Sequence, residues 1–553
     1  MKNKFSRFLS VVMAICLMAV CFTGCSSADN DIIILFTNDA GCAVEGEMGY
    51  TKIAAYKKLM LKQTPHVKLV DLGDAVQGDF IGTISKGDYI VDLMNKVGYD
   101  YAVPGNHEFD YGMEQLTALI NRSDAKYLVS NIEYKGEGES ALKDTKPYEI
   151  VNFDGTKVAF IGVTTPHTLT MSLPSNFIEE EIAVYDFKNA TSGSKLYNAV
   201  QGYVNECKNK GADYVVILSH LGDTTEATPY TSTGLIKATF DVDVVLDAHT
   251  GGEISCRSLC NKNGEDVLLS SAGKDLSSLG KLVISANGNI STGLVSGYAT
   301  VDEDFETYYQ ELKLTYEEQM NQVLAICDKE VKRTDLEGVE TIANRENPLG
   351  NFCADAYRIV ADADVALVPA DRINADLPIG DVRYADVLKL FPSGGELYKI
   401  KITGQEILDC LEIGCANLET EYAIDGKPVG VNANFMQVSG LQFKVDTSIK
   451  STVQFDEFGN FKDIDGKRRV KSVKILNDNL SYTPINSKAL YTLATDSLLV
   501  KEGVGGITFL QNNPPEIGGG MPDYQVLLDY LMYNLGGELG ERYAIPEGRI
   551  IVE

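Results

Sequence analysis

Short apolar runs rich in Val and Ile alternate with longer amphipathic stretches over residues 31–300. The clearest runs lie at residues 32–36, 67–72, 158–163, 215–218 and 242–246. Near-continuous apolar strands separated by helices indicate sheets that are buried on both faces. The pattern therefore predicts an α/β domain built in layers. Polar residues at the ends of such strands are where α/β folds place their chemistry.

A different pattern begins near Glu303. Apolar residues recur there every three or four positions among Glu, Gln and Lys, which is typical of an amphipathic helix. We predict a helix over residues 301–327 that connects the first domain to a second one at residues 328–553. The second region mixes helical and strand patterns and is predicted to be an α/β or α+β domain. A chain of 553 residues exceeds what one hydrophobic core normally serves, which agrees with two domains.

The N-terminus has the layout of a bacterial secretory signal. Lys2, Lys4 and Arg7 precede an apolar run at residues 8–22. That run is too short for a comfortable transmembrane helix, and no later segment offers a long uncharged apolar stretch. We therefore expect an exported protein whose residues 1–24 form a signal peptide.

Cys25 follows this run in a context that resembles the lipobox of a bacterial lipoprotein. Small residues precede it, and the polar segment at residues 25–30 would serve as a tether. The alternative is an ordinary signal peptide followed by an unmodified cysteine. The prediction is a surface or periplasmic lipoprotein that contacts the membrane through a lipid on Cys25 alone.

The formal net charge of −29 limits the classes of partner. A protein that coats nucleic acid needs a basic surface to release counterions, so the charge argues against a nucleic-acid partner. An acidic enzyme still binds phosphate locally, through metals and arginines. Of the 11 cysteines, the closest pair beyond Cys25 is Cys256 and Cys260, which are either bridged or free thiols. The sequence does not indicate an oligomeric state.

Polar clusters follow the apolar runs of the first domain. They are Thr37-Asn38-Asp39, Gly73-Asp74, the segment at 105–110, Ser219-His220 and Ala248-His249. Their carboxylate, amide and imidazole groups suit divalent Zn, Mn, Fe or Co. A lone Asp or His is more often a cap or a satisfied core group. However, three of the chain's five histidines fall in these clusters, which favours a metal site.

Residues 105–112 read GNHEFDYG. This segment and the order of the clusters resemble the calcineurin-like metallophosphoesterase domain of the bacterial bifunctional UDP-sugar hydrolase/5'-nucleotidase family. The resemblance continues through residues 347–351, 435–441 and 547–550, so it covers nearly all of the chain beyond Cys25. It implies a layered metallophosphoesterase sandwich joined by a helix to an α/β (α+β) 5'-nucleotidase C-terminal domain. It also implies hydrolysis of nucleotides or other small phosphate esters.

The resemblance implies a set of metal ligands. One metal would be held by Asp74, Asn106, His220 and His249, and a second by Asp39 together with a bridging Asp74. Zn, Mn or Co is expected, with two ions by the resemblance. Two such cations would clamp the phosphoryl group and activate a water for in-line attack.

The resemblance also implies a catalytic pair. His107 would face the transferring phosphoryl group and stabilise its charge or protonate the leaving oxygen, while Asp110 sets the orientation of the imidazole. The alternative is that both residues merely cap the turn after a strand.

The ligand set departs from the family at two positions. The first cluster normally continues to a histidine where this chain has Gly41, and the last cluster normally carries His or Gln where it has Gly251. Both losses fall on the second metal, so one bound metal is the alternative to two. Nearby residues that would in principle substitute are Cys42, Glu45, Glu47 and His167, each of which has a simpler interpretation as a loop or surface residue.

The second domain departs from the family in its substrate-binding residues. The phosphate loop lacks its usual Asn and Arg, and Arg372 lies two residues from the lost arginine, with Asn374 in its place. Arg345 matches another phosphate-binding arginine, or else forms a surface salt bridge. Phe435 matches one ring of the base clamp, or else is core, and Ile507 replaces the other ring. Loss of a stacked ring would weaken nucleotide binding.

Two functional hypotheses follow. The complete first ligand set and the His107-Asp110 pair favour a surface-anchored, metal-dependent phosphohydrolase of small phosphate esters. The changes at Gly41 and Gly251, together with those in the second domain, favour a catalytically weakened or inactive lipoprotein that binds ligands.

Overall fold

The computed structural model describes most of the chain. The described residues are 30–553, apart from 79, 173, 180–181, 189–192, 224–228, 336, 393–394, 419–433, 457–458, 478 and 502. The predicted signal peptide and Cys25 lie outside this range. No helix in the described part of the chain is long and apolar enough to cross a membrane.

Two sheets lie face to face in the first half of the protein. In spatial order, the first sheet contains Ile290–Val295, Leu279–Ile284, Ile32–Thr37, Val67–Asp71, Tyr101–Ala102 and Lys126–Tyr127. The second contains Glu253–Cys260, Asp266–Ala272, Val244–Leu246, Tyr214–His220, Thr156–Thr164 and Tyr148–Phe153. Apolar side chains from both sheets, such as Phe36 and Leu218, form one buried layer between them.

Helices cover the outer face of each sheet. Those on the first sheet are Tyr50–Leu61, Phe80–Ser85, Asp88–Val97 and Gly112–Arg122. Those on the second are Ser194–Asn209 and Ser232–Ala238. Because helices cover one face and the other sheet covers the second face, the central strands are buried on both sides, as the apolar runs predict.

The central strands of each sheet are parallel. Ile32–Thr37 pairs in parallel with Val67–Asp71, and Tyr214–His220 pairs in parallel with both Thr156–Thr164 and Val244–Leu246. Parallel pairing brings the carboxyl ends of neighbouring strands to the same edge of a sheet. The polar clusters that follow these strands are therefore collected at one edge of the sandwich.

The connecting helix is shorter than predicted. It spans Glu303–Met320, and the carboxylate of Asp302 caps it by accepting from the Phe305 N–H. Phe305 is buried in the core beneath the first sheet's helices. The end of the predicted 301–327 helix is instead a strand, Val323–Cys327, because it pairs with Gly380–Arg383 of the second half.

The second half has its own core, formed by residues from Ala325 onward. One sheet contains Met436–Ser439, Val365–Pro369, Leu490–Asp496, Glu396–Thr403 and Pro515–Pro522. Another contains Tyr482–Pro484, Val470–Leu476, Leu441–Val445 and Ile550–Val552. The helices that pack with them include Pro348–Val360, Tyr384–Leu388, Gly404–Gly414, Ser497–Lys501 and Asp523–Asp529.

The helix Pro348–Val360 shows how local sequence places these elements. Asn347 caps its first turn, because the side-chain oxygen accepts from the N–H groups of Leu349 and Gly350. Proline at the first helical position needs no backbone donor there. The Asn347-Pro348 pair thus begins a buried helix in the second half.

Candidate metal and phosphate site

Three imidazole and carboxylate side chains meet at the edge of the sandwich. Asp74 follows the strand Val67–Asp71, His220 ends the strand Tyr214–His220, and His249 follows Val244–Leu246. One ligand atom from each of Asp74, His220 and His249 lies within 4.8 Å of the others. These residues come from both sheets, so the packing of the two sheets brings them together.

At this edge of the sandwich, two buried polar atoms have no hydrogen-bond partner among the described residues. They are Oδ1 of Asn106 and Nε2 of His220. Nε2 lies only 3.0 Å from Oδ2 of Asp74, but it does not form a hydrogen bond of acceptable geometry. A buried polar atom left without a partner costs about 1–3 kcal/mol. The cluster of Asp74, His220 and His249 therefore fits a cation, which would satisfy Nε2 of His220.

The hydrogen bond of His220 directs its second nitrogen towards the cluster. Nδ1 lies 2.6 Å from the carbonyl oxygen of Leu72, and since a carbonyl only accepts, Nδ1 carries the proton. Burial would lower the pKa of His220, but the carboxylate of Asp74 raises it to about 10. In the absence of a metal, Nε2 is therefore protonated and carries a positive charge beside Asp74. A bound cation would replace this proton and supply the positive charge instead.

His249 is already suited to bind a metal. Burial, together with the charge on His220, lowers the pKa of His249 to about 3, so its ring is neutral. Its backbone adopts a φ of +84°, a conformation that is rare for residues with a side chain. Backbone strain of this kind is often found at functional sites.

Glu108 holds the loops of this cluster in place. Its buried carboxylate accepts from the backbone N–H groups of Asp74 at 2.8 Å, Ala75 at 2.8 Å and Gly105 at 2.6 Å. Gly105 has no room for a side chain, because a Cβ would lie 2.2 Å from Oδ1 of Asp74. Sequence reasoning assigned no role to Glu108. The available signal was an acidic residue in the short 3-10 turn His107–Phe109, between the strand Tyr101–Ala102 and the helix Gly112–Arg122, where a carboxylate can accept from backbone amides.

The His107-Asp110 pair lies beside the metal cluster. Nδ1 of His107 is 2.6 Å from Oδ2 of Asp110, whose side chain is buried, whereas the His107 side chain is 34% exposed. The backbone N–H of His107 donates to Oδ1 of Asp74 at 2.9 Å. Burial would lower the pKa of His107, but Asp110 and Asp74 raise it well above its ordinary value. The ring is therefore positioned and charged to interact with an anion in the adjoining cavity.

Asp39 has a different environment from the other predicted metal ligands. Its Oδ2 accepts from Asn38 Nδ2 at 2.7 Å, and the backbone N–H of His249 is 3.0 Å from Oδ1 and 3.1 Å from Oδ2. The carboxylate thus ties the first loop to the last one. Burial raises its pKa.

The two glycines on the Asp39 side supply no ligand. Gly41 and Gly251 both have positive φ, +55° and +62°. The positions that their side chains would occupy lie against Asp275 Oδ1, at 3.4 Å, and Lys274 Cδ, at 3.3 Å. Among the described residues, no group of three close His, Cys, Asp or Glu ligand atoms includes Asp39, and the two glycines offer no donor atom, so this side does not fit a second metal.

The residues proposed as substitutes for the missing ligands are engaged elsewhere. Glu45 accepts from Tyr309 and Lys313 of the connecting helix. Together with Cys42, these residues line a separate cavity of about 190 Å³. Glu47 accepts from the Gly297 N–H at 3.1 Å.

His167 is the one substitute that lies near the cluster. Its ring is 6.0 Å from that of His249, between centroids, and it also packs edge-on against Tyr230. Burial lowers its pKa. It is not among the residues that line the cavity over the site.

A cavity of about 950 Å³ opens over the site. Its lining contains Asp39, Gly41, Ala43, Asp74, Gln77, Gly78, His107, His249, Thr250, Gly251, Lys274, Asp275 and Pro392. Pro392 belongs to the second half of the chain. The cavity thus combines the cluster, the exposed edge of His107 and a wall from the second half.

Glu396 of the second half also reaches the catalytic pair. Ligand atoms of His107, Asp110 and Glu396 lie within 4.8 Å of one another. Glu396 forms an ion pair with Lys501, at 3.0 Å, and its side chain is 12% exposed. Sequence reasoning missed Glu396, because it begins an ordinary strand and carries no local motif.

Arg372 is committed to buried carboxylates in this structure. Its guanidinium is 2.9 Å from Oδ2 of Asp496 and 3.3 Å from Oδ2 of Asp523. Arg372 is 7% exposed. In this structure the guanidinium is held by two carboxylates, so it is not placed to bind phosphate in the predicted way. Arg345 is half-buried, and its Nε donates to Asn344 Oδ1 at 3.3 Å.

Phe435 lies in the core of the second half and is fully buried, as is Ile507. The backbone carbonyl of Phe435 accepts from the Ala370 N–H at 2.8 Å. A ring without an exposed face cannot stack on a ligand in this arrangement. The structure therefore places the predicted base-clamp ring where the alternative interpretation put it, in the core.

The amide of Asn374 donates to the carbonyls of Asp371 and Arg372.

Two family models match the chain. The model described as the 5'-nucleotidase C-terminal domain matches residues 330–512, and the one described as the bacterial capsule synthesis protein PGA_cap matches residues 45–249. These matches lie on either side of the connecting helix.

Curated relatives match most of the chain. It is 26% identical to the trifunctional nucleotide phosphoesterase protein YfkN of Bacillus subtilis over 561 residues, which cover 94% of this chain and 35% of that protein. It is 24% identical to a snake venom 5'-nucleotidase of Gloydius brevicauda over 576 residues, covering 94% of this chain and 88% of that protein. The chain thus spans about a third of the length of the Bacillus protein.

Solved structures share the whole architecture. The NAD nucleotidase of Haemophilus influenzae aligns with a TM-score of 0.64 at 18% identity, covering 95% of this chain and 99% of that chain. At this level of identity the likeness shows the fold alone. The predicted fold class, a layered α/β sandwich joined by a helix to a second α/β domain, is confirmed.

Proposed function

We propose that this chain is a divergent member of the 5'-nucleotidase family and a metal-dependent phosphohydrolase of small phosphate esters. One observation carries the proposal. The His107-Asp110 hydrogen bond of 2.6 Å lies directly beside a cluster in which Asn106 and His220 each leave a buried polar atom without a partner. The cluster is suited to hold a cation, and the pair is suited to move a proton.

The residues that would hold the cation are Asp74, Asn106, His220 and His249. A divalent ion such as Zn, Mn or Co would stabilise the negative charge on the phosphoryl oxygens and lower the pKa of an attacking water. Asp74 anchors this group, because its pKa is held well below the ordinary value by His220 and His107, against the opposing effect of burial. It therefore stays ionised at every working pH.

His107 would act on the leaving group. Its raised pKa keeps the imidazole protonated near neutral pH, so it can donate a proton to the departing oxygen. Asp110 fixes which nitrogen carries that proton, since it accepts from Nδ1 and leaves Nε2 towards the cavity. The backbone N–H bond from His107 to Asp74 ties the position of the acid to that of the metal ligand.

We propose small phosphate monoesters as the substrate class, with nucleotides among them. The cavity of about 950 Å³ is large enough for a nucleotide. However, Phe435 and Ile507 are buried and Arg372 is paired with two carboxylates, so no base clamp faces the cavity in the described arrangement. We therefore expect recognition to depend on the phosphate more than on the base.

We further propose that the protein acts outside the cytoplasm, tethered by a lipid on Cys25. The charged and apolar segments of residues 1–24 support export, and the likeness to the cell wall protein Lmo0130 of Listeria monocytogenes agrees with it. Phosphate or nucleoside released there would be available for uptake. Metabolic labelling of the full-length protein with a radioactive fatty acid tests the anchor, and Cys25→Ala is expected to abolish the label.

The activity is tested on the chain from Ser26 onward. The protein is stripped of metal, reloaded with Mn, Zn or Co, and assayed on p-nitrophenyl phosphate and on AMP, with metals per chain measured in parallel. We expect metal-dependent release of phosphate. His107→Gln is expected to lower the rate by about 100-fold or more while leaving the metal content unchanged, because it removes only the acid.

His66→Gln is the matched control, since His66 lies at the opposite end of the strand Val67–Asp71, against Phe153. It should keep full activity. No turnover with any of the metals would contradict the proposal and favour the alternative, a ligand-binding surface lipoprotein, which the satisfied Asp39 and the glycines at 41 and 251 support.

A further inference from the structure

The loop after the strand Asp266–Ala272 is fastened to the Asp39 side of the cavity. The amide of Asn38 donates to the Gly273 carbonyl at 2.8 Å, and the Asp275 N–H donates to the Asp39 carbonyl at 3.0 Å. The Met48 N–H donates to the Leu276 carbonyl at 2.8 Å. Backbone bonds on both sides of Lys274 therefore set where its side chain begins.

The side chain of Lys274 lies along Gly251. Its Cδ would be 3.3 Å, and its Cβ 3.5 Å, from a Cβ added at that glycine. Any larger residue at 251 would compete with the lysine stem for this space. The glycine that leaves the metal site without a ligand is thus also the residue that makes room for a lysine at the cavity wall.

The charges of the cavity make this lysine important. The lining includes the carboxylates of Asp39, Asp74 and Asp275, all of which repel a phosphate group. Lys274 is the one Lys or Arg among the described residues that line the cavity. A dianionic ligand on this side would therefore find its compensating charge at Lys274.

Resting on the phosphohydrolase function proposed above, we propose that Lys274 binds the phosphoryl group directly, on the side of the cavity where Asp39, Gly41 and Gly251 hold no cation. The ammonium is a compact charge with three donors on a flexible stem, so it can follow the phosphoryl oxygens. Asp275, whose carboxylate is 4.0 Å from the ammonium, restrains it without burying it, since both side chains remain more than half exposed. A loose, exposed pair of this kind is easily replaced by a stronger anion.

Binding of inorganic phosphate to the protein loaded with one metal tests the assignment. Isothermal titration calorimetry is run on the wild type, Lys274→Gln and Lys274→Arg, with Lys262→Gln as the matched control. Lys262 is exposed in the turn at the opposite end of Asp266–Ala272. We expect Lys274→Gln to raise the Kd for phosphate by about 10-fold or more, because a charged hydrogen bond is lost. Lys274→Arg and Lys262→Gln should stay near the wild type.

Metal content gives a second readout. One metal per chain is expected in every variant, and two metals per wild-type chain would overturn the assignment, since a second cation would then supply the charge. Unchanged phosphate affinity in Lys274→Gln would overturn it as well. The two proposals can fail separately. Phosphate binding that depends on Lys274, without any turnover, would contradict the proposed hydrolysis and support the role of Lys274. Turnover with phosphate binding that does not depend on Lys274 would support the hydrolysis and contradict the role of Lys274.

Discussion

The two sides of the cavity differ in how their buried polar atoms are satisfied. On one side, Asn106 Oδ1 and His220 Nε2 are buried without partners among the described residues. On the other, the Asp39 carboxylate accepts from Asn38 and from the backbone of His249. Buried atoms without partners are costly unless a ligand satisfies them. The comparison therefore indicates one cation site beside a carboxylate that has become part of the scaffold.

The largest expected effect comes from His220, on the side with unpaired atoms. His220→Ala should lower the affinity for Mn or Zn by more than about 100-fold. Loss of a residue that only supports a metal ligand typically costs about 10- to 100-fold, and loss of the ligand itself should cost more. Titration calorimetry with the stripped protein measures it. Asp39→Asn is the matched variant on the other side and should change the affinity only slightly. Equal losses in the two variants would show that both sides bind metal.

The next effect concerns Asp110. Asp110→Asn removes the charge that raises the pKa of His107, so the His107 pKa should fall. Since protonated His107 is the proposed acid, the alkaline limb of the kcat/KM profile should move to lower pH, with a rate loss of about 10-fold or more near neutrality. Activity measured from pH 5 to 10 tests this. An unmoved alkaline limb would mean that another group sets it.

A smaller effect, on stability, is expected at Asp39. Asp39→Ala removes the acceptor of the His249 N–H and one of the acceptors of the Asn38 amide, which should lower the free energy of unfolding of the metal-free protein by about 1–3 kcal/mol. Urea unfolding measures it, with Asp275→Ala as an exposed control in the adjoining loop. If Asp39→Ala keeps normal stability but binds one metal where the wild type binds two, Asp39 is a metal ligand and not a structural carboxylate.

The last prediction concerns Asp71, a buried carboxyl that contacts the strand before Asp39 and the loop before Asp74. Burial raises its pKa from 3.8 to about 8, and it accepts from Thr37 and from the Gly73 N–H. An acid with a raised folded pKa contributes stability that is fully present below pH 3.8 and is lost as pH rises through 8. Asp71→Asn should flatten this decline, so that the stability of the variant relative to the wild type increases between pH 5 and 9.

Thermal unfolding at constant ionic strength across that range measures the difference. Asp100→Asn is a suitable control, because Asp100 is a partly exposed carboxylate paired with Lys68 in the same sheet. If the stability of the wild type and that of Asp71→Asn fall in parallel as the pH rises, the pKa of Asp71 is not raised in the folded state and the prediction is wrong.

Much of this protein can be read from local sequence. The apolar runs predict the strands, since residues buried on both faces must be apolar throughout, and the observed strand Ile32–Thr37 extends its predicted run by one residue. The clusters after these runs include Asp74, His220 and His249, which parallel pairing brings to one edge. The period of the residues after Glu303 predicts a helix there, although its end depends on pairing with the distant strand Gly380–Arg383.

The tertiary structure alone decided what each of these residues does. Asp39 and Asp74 are both acidic residues after a strand, yet the Asp39 carboxylate accepts from Asn38 and His249, whereas the Asp74 carboxylate lies in the cluster with the imidazoles of His220 and His249. Phe435 lies in the core, and Lys274 lies along Gly251. The physical reason is the same throughout: burial, hydrogen-bond partners and nearby charges come from residues far apart in the chain. Local sequence determines the elements and the available chemistry, and packing determines which atoms remain free to use it.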